Sequence, residues 1–255
     1  MRLLPPATLP PRTLAITIAV PAAAADEKRA MISTVDQVCE RLDAHGVPGT
    51  WGLGDPSDAP QVAALADGHP FHEFALLADT TWAQDVTSRH TLRRRLRRSI
   101  RAARRAGWSA ATIVARGQPL DVHQEELVKQ GISMLAVDRP AAGECIRTVR
   151  FGLWEIPADR VWTASPGRRA SWGHDLRMRR QLDRAVEAGG LFHLALDGRG
   201  LSDGAMGLRG LERFLRHVQR RCEQQELATV TIGEIGQMLP KVRHHPPASS
   251  ILRAA

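Results

Sequence analysis

Tyrosine is absent from this 255-residue chain, and five phenylalanines and six tryptophans are its only aromatics. Recognition through aromatic side chains interleaved with basic ones is therefore poorly supplied. Cysteine is scarce as well. Cys39, Cys145 and Cys222 are odd in number, far apart and without metal-ligand spacing. That pattern excludes a disulfide framework and reads as three buried thiols in a reducing, cytoplasmic setting. No run approaches the roughly 20 apolar residues of a membrane-spanning helix. No Gly-x-Gly-x-x-Gly and no phosphate-binding Gly-Lys-Ser/Thr loop follows an apolar run, so neither nucleotide signature is present and no cofactor is expected. Arg2 and the small residues Pro21 to Ala25 imitate a secretory leader, but Pro5, Pro6, Pro10, Pro11 and Arg12 interrupt it.

Acid is missing from one long segment. Between Arg89 and Arg105 there are nine arginines and no carboxylate, against a formal net charge of +8 for the whole chain. The rest of the sequence is close to neutral, so polyanion attraction is confined to this segment. Leu92, Leu96, Ile100 and Ala103 recur there at helical spacing, which predicts a helix from about Thr91 to Ala106 with one buried stripe. The expected state of its arginines is solvated or ion-paired, with nucleic acid or anionic lipid the less favoured partner for Arg93 to Arg105.

What is present is a folded α/β chain, 43% hydrophobic. TLAITIAV, Thr13 to Val20, is rich in β-branched residues and predicts a buried strand. Further strands are expected near Val47–Gly54, Phe71–Leu77, Ala111–Val114, Ile132–Val137, Leu191–Leu196 and Ala228 onward. Helices are expected at Glu27–His45, Pro60–Asp67, Asp121–Gln130, Asp175–Ala188 and Leu208–Gln224, most of them closed by glycine. Cys145 to Ala164 breaks the rhythm and reads as short strands or a hairpin excursion. Alternating strands and helices argue for a mostly parallel sheet of about seven strands, curled into a distorted barrel. The expected organisation is a Pro-rich lead, 1–12, a single domain, 13–240, and a tail, 241–255.

Several segments, in order, resemble the polysaccharide deacetylase (NodB homology) family: TLAITIAVP, HGVPGTWGLG, DGHPFHEFAL, VKQGISMLAVD, GGLFHLALDG and ELATVTIGEI. The resemblance spans Thr13 to Leu239 and implies a metal-dependent carbohydrate esterase on a distorted barrel. It also implies paired aspartates after the first strand, where this chain has Ile18-Ala19-Val20-Pro21. Two metal histidines are implied at about Phe74 and Ala78, a proton-handling histidine at about Asp197, and a loop arginine for which Arg116 is the candidate. An alanine or a phenylalanine cannot donate an electron pair to a metal. The expectation is thus a divergent member, a pseudoenzyme lacking the usual metal and catalytic residues, that keeps carbohydrate or protein binding.

The residues themselves leave a second reading open. Asp55, Asp79, Arg116, Asp138 and Asp197 each follow an apolar run, and a barrel gathers strand exits at one face. Asp138, Asp197 and Asp79 are the catalytic candidates for a divergent hydrolase acting on an acetylated carbohydrate. Arg116, Asp55, Trp82 and Trp154 are binding candidates, the tryptophans as stacking surfaces for a sugar ring. Against this, aspartates also cap helices and hold turns. His69, His72 and Glu73 form a further, weaker ligand set, and His193, inside LFHLAL, is expected to be a buried core histidine.

Overall fold

The computed structural model describes residues 10–23, 25–59, 61–62, 72–82, 88–117, 120, 123–139, 146–162, 168–198, 201 and 205–240. The backbone alone is described for 25–26, 81, 168–174 and 205–206. Cys145, His69 and the two terminal segments therefore lie outside the described residues.

The fold is built around β1 (Thr13–Val20), which is buried along its whole length. Its side chains alternate, as a strand requires. Leu14, Ile16, Ile18 and Val20 join an outer apolar cluster, while Ala15 and Ala19 join an inner one. Large residues face the covering helices and small ones face inward, so the sheet can curl around its concave side. On one flank β1 pairs in parallel with β9 (Leu191–Asp197), Ala19 opposite Asp197. On the other it pairs first with β10 (Ala228–Val230) and then with β2 (Thr50–Leu53).

Outward from β2 follow β3 (Glu73–Ala78), β4 (Thr112–Ala115), β5 (Met134–Val137), β7 (Trp154–Pro157) and the antiparallel β6 (Arg147–Thr148), while β8 (Arg160–Trp162) lies beyond β9. The result is a ten-stranded, almost wholly parallel half-barrel. The irregular stretch supplies β6, β7 and β8, short strands that extend both edges of the sheet.

Helix α1 (Ala25–Ala44) packs Val35, Cys39 and Leu42 against the outer cluster. Helix α2 (Arg89–Arg105) buries Leu92, Leu96, Ile100 and Ala103 against β3, β4 and β5. Its arginines at three- and four-residue spacing repel, each pair costing roughly 0.2–0.5 kcal/mol. Full burial of each of the three large apolar side chains contributes about 1.5–3 kcal/mol. Packing therefore holds the helix against its own charge. The remaining helices are α3 (Gln124–Lys129), α4 (Arg168–Glu187), α5 (Ala205–Glu223) and α6 (Ile232–Met238).

Helix α6 closes the end of the half-barrel where the strands begin, with Ile232, Ile235 and Leu239 in the inner cluster. Thr231 and Glu234 cap it reciprocally. Glu73 ties this floor together. Its carboxylate accepts from Thr50 Oγ1 at 2.9 Å, Thr112 Oγ1 at 2.5 Å and the Gly233 amide at 2.7 Å, while Thr50 Oγ1 accepts from the Ile232 amide. Desolvation raises the Glu73 pKa, and the three hydrogen bonds oppose that shift.

A raised carboxyl pKa means that the native state binds the extra proton. This contribution to stability is greatest at low pH, falls as pH rises from the unfolded to the folded value, and is level above. Glu73→Ala strands the Gly233 amide and is expected to cost about 1–3 kcal/mol in urea unfolding at pH 7. Glu73→Gln is expected to cost less, and equal losses for the two variants would contradict the account.

Candidate functional site

Three strand ends converge on one polar group at the C-terminal mouth of the half-barrel. Arg116 follows β4, Asp138 follows β5, and Asp197 ends β9. Both carboxylate oxygens of Asp197 accept from the Arg116 guanidinium, Oδ1 from Nη1 at 2.6 Å and Oδ2 from Nη2. Two parallel N–H···O bonds make this a bidentate pair, which fixes orientation as well as charge. The Asp138 Oδ2 atom lies 3.9 Å from Arg116 Nε, and its Oδ1 accepts from the Gly117 amide at 3.0 Å.

Gly117 stands at φ +67, in the left-handed region where a side chain strains, and there the chain turns that amide onto Asp138. The guanidinium thus stands between the two carboxylates, giving the group a formal charge of −1. Asp138 and Asp197, two of the catalytic candidates, are brought together with a cation between them.

Thr17, Ala19, Ala136 and Ala195 line the pit beneath, whose closed volume is about 10 Å³. That is on the order of one water. Thr17 Oγ1 also meets His193 Nε2 at 2.9 Å. His193 is buried, as its setting in LFHLAL leads one to expect. Its Nδ1 lies toward the Ile156 and Pro157 backbone without a hydrogen bond of normal geometry. Burial lowers the His193 pKa to about 4, against the smaller upward pull of those backbone groups.

The other candidates lie elsewhere. Asp79 sits at the exit of β3, outside the lining of the pit, and its carbonyl accepts from the Trp82 amide. Asp55 caps a 3-10 turn, its carboxylate accepting from the Ser57 amide and hydroxyl at 2.9 and 2.6 Å, and those bonds lower its pKa. Trp82 is corrected as a stacking surface, because it is 2% exposed, packed beneath α2 and covered by the Arg95 guanidinium 5.0 Å from its ring. Trp154 lies apart from the other candidates. It begins β7 and so stands at the end of the sheet opposite the mouth.

The expectation that the chain lacks a metal-capable residue set is also corrected. Cys39 and Asp43 on α1 and His72 before β3 each offer a donor atom, all within 4.8 Å of one another. His72 Nε2 lies 3.0 Å from Asp43 Oδ1 and 3.7 Å from Cys39 Sγ. These separations suit three ligands on one small divalent ion. Loss of metal chemistry therefore does not follow from the substitutions at the strand exits.

Sequence reasoning missed this set because helical spacing shows only Cys39 with Asp43, and His72 arrives from another element. The set lies at the strand-start end, away from the mouth. Its three side chains are in contact with one another, Cys39 Sγ lying 3.8 Å from Asp43 Oδ2. The Gly49 amide donates to His72 Nδ1 at 3.0 Å, which leaves the ring proton on Nε2, facing Asp43. Burial, with Asp43 second, pushes the Cys39 thiol up to about 12. An incoming metal would have to displace both protons.

At the mouth the donors suit a metal poorly. Both oxygens of Asp197 already hold Arg116, the exit of β1 presents Pro21, and Asp79 at the exit of β3 lies outside the lining of the pit. No family model and no curated protein matches the chain. Solved structures do match. A candidate polysaccharide deacetylase from Mycobacterium smegmatis superposes with a TM-score of 0.68 at 17% identity, over 91% of each chain. The Puue allantoinase gives 0.64 at 11% identity, over 91% of this chain and 94% of its own. A CE4-family pseudoenzyme from Bacillus anthracis gives 0.51 at 14%, over 89% and 66%. The fold is the polysaccharide-deacetylase-like (β/α) half-barrel, and no helix among the described residues is long and apolar enough to cross a membrane.

The buried His193 generates a pH test. A histidine pKa lowered by folding means that the unfolded chain binds the proton first. Stability is full above pH 6.5 and is lost as pH falls toward 4, by about 3 kcal/mol for this group alone. His193→Gln is expected to flatten that part of the acid-unfolding profile; an unchanged slope would refute the assignment.

Proposed function

We propose that the protein recognises carbohydrate at the C-terminal mouth of its half-barrel, through Asp138, Asp197 and Arg116. The convergence of these three side chains from β4, β5 and β9 carries this reading. A pit of about 10 Å³ is far too small for a sugar ring, so the ring lies across the opening and lends one hydroxyl to it. Carboxylates accept from sugar hydroxyls, and Arg116 keeps both carboxylates facing the opening by holding them on one cation. The fold shared with a candidate polysaccharide deacetylase supports the choice of ligand class.

The same pit supports a second reading, hydrolysis of an acetylated carbohydrate. A space for one water beside Asp138 and Asp197 is what a carboxylate needs to take a proton from an attacking water. The backbone amide on Asp138 Oδ1 leaves Oδ2 as its working oxygen.

Calorimetric titration with oligomers of N-acetylglucosamine, with acetate release followed in parallel, tests both readings. Binding to Asp197→Ala and to Asp138→Asn is expected to weaken about tenfold to a hundredfold, since a hydrogen bond to a charged group contributes about 1.5–3 kcal/mol. Wild-type affinity in both variants would refute the mouth as the site. Acetate release that disappears in Asp138→Asn while binding persists would favour the hydrolase.

A further inference from the structure

The arginines of α2 divide sharply by partner. Arg89 pairs with Glu125 and Glu126, Arg93 lies 3.7 Å from Glu126, and Arg95 covers Trp82. Among the described residues no ion pair engages Arg94, Arg97, Arg98, Arg101, Arg104 or Arg105. Full guanidinium charge thus stands on the outer surface of a helix already anchored by its apolar stripe.

These cations border two grooves. Arg97, Arg101 and Arg105 line one on the far flank, and Arg94 and Arg98 stand on the ridge between the two and border both. Arg94, Arg95 and Arg98 line the other, a cleft of about 500 Å³ whose opposite wall is Ala22, Gly54, Asp55 and Pro56, so three cations face one carboxylate, which Arg98 partly offsets. Ala22 and Gly54 are the exits of β1 and β2, and Ala19 of β1 stands in register with Asp197. Ala22 is three residues beyond Ala19, about 10 Å along an extended chain. The cationic cleft therefore opens at the same end of the sheet as the Arg116–Asp138–Asp197 mouth.

We infer that this cleft binds an anionic polysaccharide and leads it across the mouth, an inference that rests on the carbohydrate reading above. Charge alone attracts any polyanion. The surroundings select among them. A membrane surface would gain from apolar residues to insert, yet Leu92, Leu96, Ile100 and Ala103 are all buried. A single-stranded nucleic acid would gain from an aromatic platform, yet Trp82 is sealed beneath Arg95. A linear glycan with regularly spaced carboxylates needs neither. It needs cations along a channel, and Arg94 and Arg98, four residues apart, supply them about 6 Å apart along the helix.

The test uses the full chain, an oligomer of galacturonic acid, a neutral N-acetylglucosamine oligomer, a duplex DNA and phosphatidylglycerol vesicles, at about 0.15 M salt. Arg94→Gln/Arg98→Gln removes two cations that border the cleft, and Arg97→Gln/Arg101→Gln removes equal charge from the far groove alone. The first pair is expected to weaken galacturonate binding about tenfold or more, and the second by less than about threefold. Equal weakening by the two pairs would overturn the proposal, as would tighter binding of DNA or vesicles than of galacturonate. Neutral-oligomer binding sensitive to Asp197→Ala, with no advantage for the anionic oligomer, would overturn the cleft and spare the mouth. No neutral binding, with galacturonate binding insensitive to Asp197→Ala, would overturn the mouth reading itself.

Discussion

A sheet can curl tightly only where its concave face carries small side chains, and β1 supplies them. Ala15, Thr17 and Ala19 point inward while Leu14, Ile16, Ile18 and Val20 meet the helices outside. Ala75 on β3 and Ala136 on β5 share that face with the larger Leu77 and Met134 of the same strands. The close approach is visible at Gly198, where a Cβ would stand 2.4 Å from the Ala19 carbonyl oxygen. Larger residues at these places would force the exits of β4, β5 and β9 apart. The Arg116–Asp197 pair exists because the curl brings together strand ends that are distant in sequence.

The two ends of the half-barrel solve opposite electrostatic problems. At the floor, Glu73 is held by hydroxyl and amide donors, and His72 meets an amide and a carboxylate. Those neutral donors join β2, β3, β4 and α6, so the floor serves cohesion. At the mouth a full cation faces two carboxylates at partial exposure, where side chains can exchange protein partners for a ligand's hydroxyls. Exposure also limits what that pair adds to stability, because solvent screens it. The mouth is thus better suited to recognition than to holding the fold. On α2 the balance differs again, since apolar burial fixes the helix while Arg89 and Arg93 pair with acids and Arg94, Arg97, Arg98, Arg101, Arg104 and Arg105 have no ion pair among the described residues.

Much of this architecture was legible in the residues. The β-branched run of β1, the glycine-closed helices and the stripe of α2 all follow from local periodicity, which is where sequence speaks most directly. The position of Asp138, Arg116 and Asp197 at strand exits was legible for the same reason. Their mutual geometry was not, because which exits converge depends on strand order and curl. The pairing of β10 with β1 joins the two ends of the domain, and only three residues carry it. His72 joins Cys39 and Asp43 across 33 and 29 residues, a separation that no ligand-spacing rule covers. Trp82 was misjudged because its exit position looked accessible, although the stripe of α2 had to land on something apolar beside it.

The central claim is that a guanidinium organises the mouth and holds both carboxylates toward a sugar. Crystals soaked with an N-acetylglucosamine oligomer and zinc together test it most directly, with anomalous scattering to locate the metal. The account predicts Arg116 still bidentate on Asp197, with a sugar hydroxyl within hydrogen-bonding distance of Asp138 or Asp197. A zinc ion on Asp138 and Asp197 with Arg116 displaced, or a sugar bound away from the mouth, would contradict it.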